Sequence, residues 1–161
     1  MVGVLHMITM ATLTNYASEV SGTPVTISCD DPKTFEHGTL AFVVFIDGQV
    51  VKTIHLPKPT CNSLMHLDDR FTPSKISTAL DMVDGKVIDL VGGEEVLALE
   101  HEAMHIALNS QDESCVEATA IANIWQTVKL FKLPSWKANQ VMRGAQYVHQ
   151  HTPLSYQGGC T

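Results

Sequence analysis

Apolar positions divide the chain into a β-rich first part and a helical second part. Met10, Leu13, Ala17 and Val20 recur at helical spacing and stop at Gly22, which predicts an amphipathic helix ended by a glycine. Pro24–Cys29 alternates and is β-rich, so it predicts a strand. The runs 40–46 (LAFVVFI) and 49–56 (QVVKTIHL) are joined by Asp47-Gly48, a hairpin signal. The first run is apolar on both faces and predicts a central strand. The second predicts a strand nearer an edge, ended by Pro57-Lys58-Pro59. Residues 60–92 predict mixed helix and loop, with Thr72-Pro73 opening a helix, Asp84-Gly85 a turn and Gly92-Gly93 a break. Beyond Glu94 three helices are predicted, near 94–109, 111–131 and 135–149. Ser110-Gln111-Asp112-Glu113 forms a capping box for the second, and Trp125 and Trp136 read as core. The expected architecture is α+β in one domain, 1–161: a small antiparallel sheet with a β-hairpin, then a helical half.

The first of the three helices carries His101-Glu102-Ala103-Met104-His105, an HExxH motif. Residues i and i+4 share a helix face, so both imidazoles can reach one metal ion and Glu102 can reach a water beside it. No Gly or Pro interrupts 94–109. His6, His37, His55 and His66 lack ligand spacing.

Catalytic zinc takes three protein ligands and a water. The metzincin pattern would need Gly at 108 and His at 111, where this chain has Leu108 and Gln111. No Asp or Glu follows Glu117, which excludes a glutamate some twenty residues past the second histidine. The downstream carboxylates are Asp112, Glu113 and Glu117. If the next helix runs back antiparallel, the zinc's height matches a residue about six positions in, at 1.5 Å per residue. Glu117 also heads the stripe Ile121, Ile124, Val128, Phe131. Glu117 is therefore the expected third ligand, with Glu113, Asp112 or a remote histidine as alternatives.

These parts predict a zinc-activated water, Glu102 as general base, and hydrolysis of a peptide bond. A further oxyanion donor would come from Tyr147, His149, His151 or Tyr156 near the C-terminus. The hairpin at 40–56 is the candidate edge for an extended peptide.

Composition narrows the partners. The net charge is −7, from ten Lys+Arg and seventeen Asp+Glu, with no basic cluster, which argues against nucleic acid. The longest apolar run is Leu40–Ile46, far short of a membrane span. The apolar N-terminus has no Lys or Arg before Lys33, so no secretory signal is read. Cys29, Cys61, Cys115 and Cys160 form no CxxC. Cys115 points away from the proposed zinc and could clip the C-terminal tail through Cys160, and Cys29 could bridge Cys61. Four free thiols are the alternative, and disulfides would suit a virion or extracellular setting.

The segment LALEHEAMHIALNSQDESCVEATA, with SGTPVTISCD and IHLPKPTCNSL upstream, resembles small HExxH proteins of actinobacteria and their phages. The resemblance spans about residues 20–125. It implies a gluzincin-like zinc metallopeptidase with a compact zincin-like core, and a site at His101, Glu102, His105, Asp112-Glu113 and Glu117. Here Cys115 precedes Glu117, which departs from that group's order. Two rival functions remain: a non-catalytic zinc-stabilised binding or virion/host-interaction module, closed by a fourth ligand such as His149 or Glu113, and a hydrolase of a non-protein amide.

Overall fold

A computed structural model describes residues 8–36, 38–67 and 86–160. The expectations at Thr72-Pro73 and Asp84-Gly85, at the extreme N-terminus, and at His6 and His37 lie outside these residues. Among those described there are five α-helices and two two-stranded sheets, an α+β fold.

Helix α1 (Met10–Ser21) follows its sequence pattern. Thr9 caps its start by accepting from the Thr12 N–H, while the Thr12 hydroxyl accepts from the Thr9 N–H. Its buried face is Leu13, Tyr16 and Ala17. It ends where Gly22 takes a left-handed conformation at φ 68°.

The sheet differs from the expected antiparallel arrangement. Strand β1 (Thr26–Asp30) pairs in parallel with β4 (Thr53–Pro57), from Thr26 opposite Thr53 to Asp30 opposite Pro57. Among the described strands, the hairpin of β2 (Phe45–Ile46) and β3 (Gln49–Val50) is the antiparallel pair. Its turn residues Asp47 and Gly48 both have positive φ, as a tight two-residue hairpin requires. Nor is 40–46 a central strand. It touches β4 through a single antiparallel bridge, Phe42 to His55, and Val44 and Ile46 are exposed. The run is apolar for another reason: Leu40, Ala41, Phe42, Val43 and Phe45 line a cleft, and Ala41 and Val43 also pack against the core.

Helix α2 (Lys58–Met65) starts directly from β4, with Pro59 in its first turn, and a disulfide from Cys61 to Cys29 ties it to β1. Helix α3 (Lys86–Leu108) is the hub, packed on α1, α2, β4 and the two following helices, α4 (Glu113–Leu130) and α5 (Ser135–His151).

Gly92-Gly93 does not break the chain, because α3 runs through it. A Cβ on Gly93 would stand 2.3 Å from the Ala145 nitrogen and 2.5 Å from the Gly144 carbonyl carbon. Gly93 therefore serves close packing of two helix backbones, which outweighs glycine's poor helix propensity. Trp125 and Trp136 are not core either. Each lies on the surface beneath a lysine ammonium, Lys129 over Trp125 at 4.3 Å and Lys137 over Trp136 at 5.3 Å. On α4 the inward positions belong to Val116, Ala120, Ile124 and Val128, which leaves Trp125 one position round.

One face of α3 carries a buried carboxyl group. Glu100 is fully buried, Oε2 accepts from the Thr127 hydroxyl at 2.6 Å, and Tyr16 donates to that hydroxyl at 2.9 Å. Oε1 has no hydrogen-bond partner. Burial pushes the carboxyl up from its ordinary 4.5 to about 7, against the lowering effect of Thr127.

Two stability predictions follow from α3. Gly93→Ala should destabilise the protein by about 3 kcal/mol or more, since backbone cannot yield as a side chain can; chemical denaturation measures it. Glu100 stays protonated in the folded chain up to pH 7 but ionises near its ordinary 4.5 when unfolded. Its contribution is complete below that lower value and is lost as pH rises through the folded one, by about 3 kcal/mol. The stability difference between wild type and Glu100→Gln, measured by denaturation at pH 4, 6 and 8, should shift in favour of the variant by that amount as pH rises.

Candidate metal centre

His101, Glu102 and His105 lie on one buried face of α3 and offer ligand atoms within 4.8 Å of one another, so they could hold a metal ion. The ring orientations are set by partners on the far side of each ring. His105 donates from Nδ1 to the Ser110 carbonyl at 2.6 Å, which leaves Nε2 a lone pair facing the site. His101 uses Nδ1 on Glu117 Oε2 at 2.8 Å. The two Nε2 atoms stand 3.0 Å apart. Two imidazole nitrogens on one tetrahedral zinc, each at about 2.0–2.1 Å, would stand roughly 3.3 Å apart.

The carboxylate facing those two nitrogens is Glu113. Its Oε2 lies 2.9 Å from His101 Nε2 and 3.4 Å from His105 Nε2. Glu117, the expected third ligand, lies behind His101. It is buried, and its second oxygen meets Nδ1 of His149 at 3.1 Å. The difference comes from where α4 begins. Asn109 turns the chain in a left-handed conformation, and the helix starts only at Glu113. That puts Glu117 four residues in rather than six, and the long Glu113 side chain reaches the histidines from the first turn.

The capping box shifts for the same reason. Asp112, not Ser110, caps α4 by accepting from the Ser114 and Cys115 N–H groups. Glu113 cannot reach back to complete a box, because its carboxylate is on the histidines.

The charges are strongly coupled. Burial opposes a proton on His101, but its bonds to Glu113 and Glu117 outweigh burial and push its pKa up to about 9. His101 and His105 together hold Glu113 down to about 2. Burial raises Glu102, opposed by the two histidines and by a hydrogen bond from the Val43 backbone N–H.

These residues form the floor of a cleft of about 800 Å³. Its wall is the segment 38–45. Phe42 exchanges both backbone hydrogen bonds with His55, at 3.0 and 2.9 Å, so the neighbouring Val43 presents its backbone to the opposite edge, towards Glu102. The hairpin is fastened over the site. Asn109 Oδ1 accepts from the Val50 N–H at 2.9 Å, and the Phe45 ring meets the His105 ring edge-on at 5.9 Å.

The C-terminal candidates separate. Tyr147 and His151 stack on each other at 4.0 Å on the exposed side of α5, away from the cleft. His149 is taken up by Glu117. Tyr156 lines the cleft, its ring 5.8 Å from that of His101. Both cysteine pairs are disulfides, Cys29–Cys61 and Cys115–Cys160. Sequence reasoning passed over the Ser110 carbonyl and the Val43 N–H. Backbone groups carry no residue signature, so no pattern could have found them. His55 is bonded to Asp30 at 2.7 Å, remote from the histidine pair.

No protein-family model, no curated protein and no solved structure matches the chain.

The two glutamates should separate in metal affinity. If the centre holds zinc on His101, Glu117→Gln should weaken its binding by roughly 10–100-fold, as loss of a partner that orients a ligand does. Glu113→Ala should cost more than that. Competition with a colorimetric chelator measures both, and a reversed order would exchange the two roles.

Proposed function

We propose that this chain is a zinc-dependent peptidase, with His101, His105 and Glu113 as metal ligands, Glu117 orienting His101, and Glu102 as general base. The observation that carries the reading is the convergence of two imidazole Nε2 atoms and one carboxylate oxygen, with edges of 3.0, 2.9 and 3.4 Å, on the floor of an open cleft beside Glu102. Three ligands rather than four match a catalytic zinc, which keeps one position free.

A zinc held there supplies a Lewis acid that polarises a carbonyl and acidifies a water. The chain's own groups do the rest. Glu102 lies next to His101 in the motif, and burial raises its affinity for a proton. It takes a proton from the attacking water and delivers it to the departing amine. An extended peptide would lie along 38–45, whose backbone edge would offer strand-type hydrogen bonds independent of side-chain sequence, apart from the Val43 N–H, which is bonded to Glu102. Apolar side chains lining the same cleft, Leu40 from that wall, Leu97 and Ala98 from α3 and Val148 from α5, favour an uncharged or apolar segment.

The rival module, with zinc only structural, needs a fourth protein ligand. His149, one candidate to close the site, is bonded to Glu117 instead, which favours the enzyme. A hydrolase of a non-protein amide would use the same residues, and a substrate panel separates the two.

The test is elemental analysis and a peptide-library assay on wild type and Glu102→Gln. We expect about one zinc in each, and cleavage lowered in the variant by on the order of 100-fold or more. Equal cleavage by both, or no zinc in the wild type after zinc addition, would overturn the reading.

A further inference from the structure

We propose that Tyr156 is the second oxyanion donor of this site, and that the Cys115–Cys160 disulfide is what holds it there. The inference rests on the peptidase reading and deepens it by naming a residue and the device that positions it.

Of the four polar side chains near the C-terminus, geometry leaves one. Tyr147 and His151 are paired with each other on the outside of α5, and His149 is bonded to Glu117. Tyr156 alone among them lines the cleft, half-buried, beside His101. Its phenol O–H is a hydrogen-bond donor and can serve a carbonyl oxygen that gains negative charge.

The tail that carries Tyr156 rests on α4 through its short 3-10 turn. Pro153, Leu154, Ser155 and residues 157–160 are exposed. The tail is also tied at both ends. On the α5 side, Thr152 bonds back to the His149 carbonyl at 2.7 Å, and the Gln157 amide donates to the Thr152 carbonyl at 2.7 Å. The 3-10 turn, Leu154–Tyr156, then swings the ring inward. On the α4 side, Cys160 is bonded to Cys115 in the first turn of α4. Gly158 passes so close to that turn that a Cβ would stand 2.7 Å from Ser114 Oγ. The first turn of α4 thus carries Glu113 towards the histidines and Cys115 towards the tail, which fixes Tyr156 relative to Glu113. Without the disulfide, the segment beyond residue 157 keeps a Ser114 to Gly159 hydrogen bond of 3.4 Å and a Thr119 contact to Cys160 at 3.9 Å, both weak, so the turn resting on α4 loses its covalent anchor.

The experiment compares wild type, Tyr156→Phe, Cys115→Ser/Cys160→Ser and the combined triple variant, each with zinc content measured and each assayed on a peptide that the wild type cleaves. Tyr156→Phe should lower kcat by on the order of 100-fold, with KM and zinc content little changed. The double serine variant should lose kcat to a similar extent, and the triple variant no more than either, because both changes remove the same contact. Full kcat in Tyr156→Phe, or losses that multiply in the triple variant, would overturn the proposal. A second readout is independent of catalysis. In metal-free protein, NMR cross-peaks between the Tyr156 and His101 rings should be present in the wild type and absent from the double serine variant. Their persistence without the disulfide would overturn the positioning role. Failure of the peptidase reading looks different: no cleavage by the wild type, with the ring contact intact.

Discussion

The bond between His101 and Glu117 is the constraint on which the candidate centre depends. A buried carboxylate needs a partner, and a buried imidazole needs its tautomer fixed before it can offer a lone pair in one direction. One contact of 2.8 Å meets both needs. It joins the middle of α3 to the first turns of α4, and through the second oxygen of Glu117 it brings in His149 from α5. Three helices are thereby registered by one side chain. The Ser110 carbonyl does the same for His105 with a backbone group from the turn between α3 and α4. Both Nε2 atoms face inward because both Nδ1 atoms are occupied.

That registration needs helices that sit close together, and Gly93 of α3 allows it. At Gly93 the α5 backbone approaches nearer than any side chain would permit. The contact lies about two turns before the histidines, so it sets the distance between α3 and α5 close to where His149 must reach Glu117. Polar burial at Glu100, about two turns along α3 from Gly93, belongs to the same hub. The helix is buried nearly all round, and two of its carboxylates, Glu100 and Glu102, are raised by that burial.

The cleft is assembled from weak elements around this rigid helix. The segment 38–45 forms a single bridge with β4, the hairpin has two residue pairs, and the tail after α5 is largely exposed. Each is fastened by a specific tie: Asn109 for the hairpin, Cys115–Cys160 for the tail. The walls of the site are thus positioned by point contacts to the HExxH helix and its successor rather than by a large sheet.

Local pattern carried much of this. The motif, the amphipathic α1 ended at Gly22, the Asp-Gly hairpin and the last three helices all follow from spacing and capping chemistry between near neighbours, so they are legible one residue at a time. The near-neighbour rules failed where a distant element took over a residue. Gly92-Gly93 reads as a break until α5 is laid across it. The run 40–46 reads as a central strand until it is seen to line a cleft. The parallel pairing of β1 with β4, the exposure of Trp125 and Trp136, and the division of labour between Glu113 and Glu117 depend on where other parts of the chain lie. A sequence states which groups are available and how those three or four residues apart can meet. Which carboxylate faces a lone pair, and which stands behind the ring, is decided by a few ångströms of helix offset, and that offset is set only by packing.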